Sequence, residues 1–181
     1  MALDEFTLLG DALWLDFVNS ARGRTLSPPD RLPDFSAYAR WCALHHLDLA
    51  GDRTSMDDVL TLRARLTGLA EALHEGRQPP TGTIAALNEQ LARSMGSHQL
   101  TRVCGEWRLR FAPVRPLAAL EAIARSAAAT LAEAGTAVRR CAGETCSLFF
   151  TDESPTGSRR WCVAALCGRD ARVERRRGLL R

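Results

Sequence analysis

Four cysteines at C-x4-C-x15-C-x4-C spacing, Cys141, Cys146, Cys162 and Cys167, constrain what the last part of this chain can become more than any other feature. Two short chelating loops, each closing a small ring, are separated by a spacer long enough for a β-hairpin. That arrangement brings four thiolates to about 2.3 Å from one ion at small entropic cost. Disulfides are the competing use of paired cysteines, and they belong to secreted chains. Here the N-terminus, MALDEFTLLGDALWLDF, carries acids where a signal peptide needs a basic stretch, and no run approaches the roughly 18 apolar residues of a membrane span. The expectation is a soluble cytoplasmic protein with no membrane partner and reduced thiols, in which these four cysteines bind zinc. A redox pair or an iron cluster is the alternative. Four thiolates leave no open position for water or substrate, so the zinc would be structural. Cys42 and Cys104 stand alone and read as small buried hydrophobes.

Between the cysteine pairs, SLFFTDES alternates Leu148 and Phe150 with Phe149 and Thr151, the pattern of a strand. PTGS at 155–158 then reads as a turn and RRWC as the return strand, with Phe150 and Trp161 packed beside the metal. VAALCGRDARVERRRG reads as a helix. On a helical projection Val163, Leu166 and Val173 share one face, and Arg169, Arg172, Arg175 and Arg176 cover an adjoining arc. A unit this small cannot fill a large core, so metal binding must supply much of its folding free energy.

Charge divides in the same way. All 24 basic residues are Arg; residues 1–138 hold 14 of them against 16 Asp and Glu, and residues 139–181 hold 10 against 5. A mildly acidic body with a basic tail points to a polyanion as the tail's partner.

The body reads as mainly helical. Leu13, Trp14, Phe17 and Val18 form a buried stripe over residues 11–21, with Asp16 and Asn19 close to it. Those two either cap neighbouring backbone or line a small ligand pocket. Three prolines make residues 27–34 a loop. A second helix runs from Phe35 to Leu49 with Gly51 as its stop. In the third, Ser55 and Asp58 form a capping pair before Val59, Leu62, Leu66, Leu69 and Leu73. A fourth spans Ile84 to Met95. The period then changes to two: Trp107, Leu109 and Phe111 alternate with Arg108 and Arg110 after a CGE turn, predicting a β-hairpin. A last alanine-rich helix ends near Gly135. The predicted fold is therefore a mainly α body with one β-hairpin (α+β), residues 1–136, and a small C-terminal finger of β-hairpin and helix, residues 137–181, divided at AGT 134–136.

CAGETCSLFFTDES, RRWC and CGRD resemble the CGNR-type zinc finger, and LDFVNS with the helical body is similar to the ABATE domain that commonly precedes it. Together the resemblance covers nearly the whole chain. It implies a treble-clef-like finger that binds DNA in a stress-associated bacterial transcription regulator. Carried over by position, Cys141, Cys146, Cys162 and Cys167 are the zinc ligands, Phe150 and Asp152 match an F-x-D element, and Arg159, Arg160 and Trp161 match its RRW. The departure lies in the signature: Arg169 and Asp170 stand where the family has Asn and Arg, and Arg172 where Lys is common.

Enzymatic readings find little support. His45 and His46 adjoin on a helix, one facing the core and one solvent; His74 and His98 lie at element ends. No G-x-S-x-G, HExxH or Gly-rich phosphate loop occurs. The expectation is a non-enzymatic regulator that binds DNA through Arg159, Arg160, Arg169, Arg172, Arg175 and Arg176, with an effector-sensing or dimerising body. A single finger buries little surface, which favours a homodimer. The alternative is a zinc-stabilised protein–protein interaction module with a small-molecule-sensing N-terminal domain. RNA binding ranks below both because the finger offers few aromatics for base stacking.

Overall fold

The computed structural model describes residues 6, 8–9, 11–49, 53–133 and 135–178, the side chains of 174–178 excepted. Among them the elements run α1 (Leu13–Asn19), α2 (Phe35–Leu44), α3 (Met56–His74), α4 (Thr83–Arg93), β1 (Gly96–Val103), β2 (Glu106–Pro113), α5 (Ala119–Ala132), β3 (Ala137–Arg140), β4 (Phe149–Asp152) and α6 (Arg169–Gly178). One π-helical turn, Ala164–Gly168, leads into α6. No helix is long and apolar enough to cross a membrane among the described residues.

Local rules explain most of the helical body. The Ser55 hydroxyl accepts from Asp58 N–H while the Asp58 carboxylate accepts from Ser55 N–H, so a capping box starts α3. Val59, Leu62, Leu66 and Leu69 then bury along one face. α1 packs between α3 and α5, with Trp14, Phe17 and Val18 fully buried. The Trp14 indole N–H donates to Thr130 Oγ1 on α5 at 2.9 Å, which satisfies the ring's only donor inside the core.

α2 stops at Leu44, five residues before its predicted end. His46 adopts a left-handed φ of 55°, His46 N–H donates to Ala43 O and Leu47 N–H donates to Cys42 O. These are the two reverse bonds of a Schellman termination, made here with His where Gly is usual. Gly51, the expected stop, lies outside the described residues. His45 is half-buried against Trp41 and His46 is exposed, as their spacing required.

β1 and β2 pair antiparallel with Leu100 opposite Leu109 and Trp107 opposite Arg102. Cys104 and Gly105 both take positive φ, 51° and 87°, as a two-residue type I′ turn demands. Cys104 is therefore exposed at the hairpin tip, which corrects its expected burial; a turn tip has nothing beyond it to pack against. Cys42 is buried as expected.

The finger departs from its predicted pairing. RRWC does not return beside SLFFTDES; β4 pairs instead with β3, Val138 opposite Thr151 and Arg139 opposite Phe150. The first cysteine pair occupies the connection between these strands. Residues 158–163 run as irregular chain, held by the Ala142 N–H donating to Arg160 O. Alternation marks a strand but not its neighbour, and four residues of β3 are too few to show a period.

The alternation of β4 divides its side chains between two cores. Phe149 joins Val138, Trp14, Phe17 and Val18 in the core of the body, whereas Leu148 and Phe150 join the four cysteines. Packing is thus continuous across residues 134–136.

Candidate metal centre

Backbone geometry aims each thiol inward. Cys141 follows β3 directly, and its N–H donates to Leu148 O at 2.9 Å. Cys146 N–H donates to Gly143 O at 3.0 Å, closing the first chelating loop. A Cβ at Gly143 would approach Cys146 Cβ to 3.1 Å and Cys167 Cβ to 3.3 Å, so the absence of a side chain there lets the two loops meet. Cys167 is held by the π turn, its N–H donating to Val163 O. Cys162 N–H donates to Cys141 Sγ at 3.4 Å.

The four Sγ atoms are buried and lie within 4.8 Å of one another. Cys146 and Cys162 sulfurs are 3.8 Å apart, Cys162 and Cys167 3.7 Å. A tetrahedron with metal–sulfur bonds of about 2.3 Å has edges of about 3.8 Å, and a disulfide needs about 2.05 Å. The donor set therefore fits one tetrahedral, fully thiolate-ligated zinc with a structural role, and the cysteine spacing identified it in full.

Protonation opposes the metal. Hydrogen bonds from the Cys146 and Cys162 thiols pull Cys141 down to about 2. As partner to that anion, Cys146 is pushed up to about 12 and Cys162 is also raised; burial raises Cys167. Four crowded thiols stabilise one negative charge, and only a cation can hold four thiolates. Because the finger unfolds without metal and unfolded thiols titrate near about 8.5, zinc binding should release close to four protons at pH 7, and affinity should fall as pH drops because protons compete for the same sulfurs. Calorimetric titration in buffers of different ionisation enthalpy measures this number; release of fewer than two protons would contradict a four-thiolate centre.

Around the sulfurs, Phe150 is buried and Trp161 packs beside it, as the sequence implied. A Cβ at Gly168 would meet the Trp161 ring at 3.3 Å, so ring and π turn touch closely. Arg139 Nε donates to Asp152 Oδ2 at 2.7 Å. Hydrogen bonds from Ser154 and then Arg139 hold the Asp152 carboxyl below its ordinary range.

Arg159 corrects an expectation. Its guanidinium donates to both Asp11 carboxylate oxygens at 3.0 and 3.1 Å and to the carbonyls of Thr151, Trp161 and Cys162, and lies 4.4 Å above the Phe150 ring. With its donors engaged inside the protein, Arg159 fastens the finger to the N-terminal segment instead of facing a nucleic acid. The other arginines differ. Arg160 is exposed, its guanidinium 5.3 Å from the Trp161 ring; Arg169 and Arg172 are exposed, with Arg169 4.0 Å from Asp170. The side chains of Arg175 and Arg176 lie outside the described residues.

Asp16 and Asn19 take the backbone-capping role left open by the sequence. Asn19 Nδ2 donates to Phe149 O at 2.8 Å and Phe149 N–H donates to Asn19 Oδ1 at 2.9 Å, all buried. Asp16 Oδ1 accepts from Leu9 N–H at 2.9 Å, and its other oxygen lies 4.0 Å from His45 Nε2. Burial, with the charge of His46, lowers the His45 pKa and favours its neutral form.

Sequence reasoning missed the rest of this seam. Arg22 stacks over the Phe149 ring at 4.6 Å and pairs with Glu71, while Gly23 N–H donates to Ser147 Oγ and Ser147 N–H donates to Gly23 O. His74, at the end of α3, accepts from Arg140 N–H. The one available signal was a polar pair set against an apolar stripe at Asp16 and Asn19.

Residues 11–134 match the ABATE family, described as "Putative stress-induced transcription regulator", and residues 137–178 match the CGNR zinc finger. No curated protein matches the chain.

Proposed function

From a chain that belongs to the ABATE family and closes with a CGNR zinc finger, we propose a transcription regulator that binds DNA through the exposed arginines of that finger. The observation that carries this reading is the division of labour among the arginines. Arg159 and Arg139 are tied to carboxylates of the protein, Asp11 and Asp152, whereas Arg160, Arg169 and Arg172 extend outward from a unit held by four thiolates. Guanidinium groups on such a scaffold suit phosphate contacts, which supply affinity and position the protein. Asp170 lies beside Arg169 and dilutes its charge, so Arg160 and Arg172 carry more of the interaction.

The reading assigns zinc no catalytic part, names no catalytic residue and fits a cytoplasmic location. It also includes a homodimer, because one finger covers too little DNA for tight specific binding.

Salt titration of the zinc-loaded chain with pooled genomic fragments tests it. Affinity should fall steeply with salt, and Arg160→Gln with Arg172→Gln should reduce the slope of log K against log salt by roughly 1.8, about 0.9 per lost phosphate contact. An unchanged slope removes these residues from the interface. No retention at low salt by zinc-loaded protein would favour a protein partner for the arginine face.

A further inference from the structure

Where Phe6, Leu8 and Leu9, the 23–31 loop and the π turn converge, the structure holds a cleft of about 590 Å³, a size typical of small-molecule sites. Its apolar walls come from both halves of the protein. Phe6 belongs to the core of the body, Leu9 packs on the cysteine cluster, and Val163 and Leu166 come from the finger. Its charged lining is one-sided: Arg24 and Arg31 border it, and no acidic residue lines it among the described residues. Arg31 donates one N–H to Arg22 O, and among the described residues no carboxylate pairs with either guanidinium. Arg22 and Arg159, by contrast, each pair with a carboxylate, Glu71 and Asp11.

We propose that this cleft binds an amphipathic organic anion, a carboxylate with an aliphatic or aromatic body, as an effector. The apolar portion lies against Phe6, Leu9 and Leu166, and the carboxylate meets Arg24 and Arg31, whose planar donors suit a bidentate acceptor. Leu166 precedes the ligand Cys167 by one residue and Arg169 by three. An occupant therefore touches the body, the loop and the turn that sets the direction of α6, and shifts the population of finger orientations by binding one more tightly than another. The regulatory consequence rests on the DNA-binding reading; the binding itself does not.

The test uses full-length zinc-loaded protein and 8-anilinonaphthalene-1-sulfonate, an aromatic anion whose fluorescence rises on burial. Decanoate should displace it and decyltrimethylammonium, with the same tail and the opposite charge, should not. The double variant R24Q/R31Q, with its zinc content confirmed, should bind decanoate at least about tenfold more weakly. Leu166→Glu, which places a carboxylate in the cleft, should do the same. Trp107→Ser, on the exposed hairpin, should leave displacement unchanged. Equal displacement by both head groups, decanoate affinity unchanged in R24Q/R31Q, or loss of the probe signal in Trp107→Ser alone would overturn the proposal. In a second arm, decanoate should change the DNA affinity of the wild type and not of R24Q/R31Q. Anion binding without any DNA binding would sustain the cleft and reject the regulator.

Discussion

Cys162→Ser, or removal of zinc by a chelator, should lower the melting temperature of the whole chain by about 10 °C and not merely unfold its last forty residues. Among the described residues the buried cluster around the sulfurs has only Leu148 and Phe150 besides the cysteines, with Leu9, Trp161 and Val163 partly buried against it, too little apolar surface to hold the finger without metal. Structural zinc sites contribute about 10–16 kcal/mol of apparent binding free energy, so its loss unfolds a unit of this size. The effect extends to the body because Phe149 and Val138 are buried in the body's own core. Withdrawing Phe149 resembles deleting a core aromatic, about 3–5 kcal/mol. For a body of this length each kcal/mol shifts the midpoint by about 3 °C. Differential scanning calorimetry with circular dichroism would check it. A body whose transition keeps its temperature and enthalpy after zinc loss would show that the seam between finger and body is energetically idle.

The second large effect lies at Asn19. Its amide serves β4 as a neighbouring strand would, giving one donor and one acceptor to the backbone of Phe149. Asn19→Leu preserves approximate volume and removes both partners. The Phe149 N–H and C=O would then be buried and unpaired, at about 1–3 kcal/mol each, so a total loss of about 3–5 kcal/mol is expected. Urea denaturation at saturating zinc should show a lower midpoint with little change in slope, since the surface exposed on unfolding hardly alters. Stability within about 0.5 kcal/mol of wild type would mean that water enters and replaces the amide. Asn19→Ala, which makes room for such water, should then be the milder variant.

These two results bear on function through the same seam. If finger and body share a core, a small molecule in the cleft at Arg24, Arg31 and Leu166 acts on a mechanically continuous object, and the arginines of the finger are presented as the body allows. Arg159 belongs to this seam. It was expected at DNA from its place in a basic tail, and its partner Asp11 lies 148 residues earlier in the chain.

Spacing and period specified what residues close in sequence determine. The cysteine pairs named the zinc site because chelating loops are local. Ser55 and Asp58 named the start of α3 because a capping box spans one turn. The turn at Cys104 and Gly105 named the β1–β2 hairpin. Tertiary structure alone decided that β4 pairs with β3, that Arg159 faces inward to Asp11, that Asn19 clamps Phe149 across 130 residues, and that Phe6, Leu8 and Leu9 border a cleft against the finger. Each of these depends on which distant segment arrives beside a polar or apolar group. A donor such as the Arg159 guanidinium can be satisfied equally by a phosphate, by water or by a buried carboxylate. Composition places the charge in the finger, and only packing selects its partner.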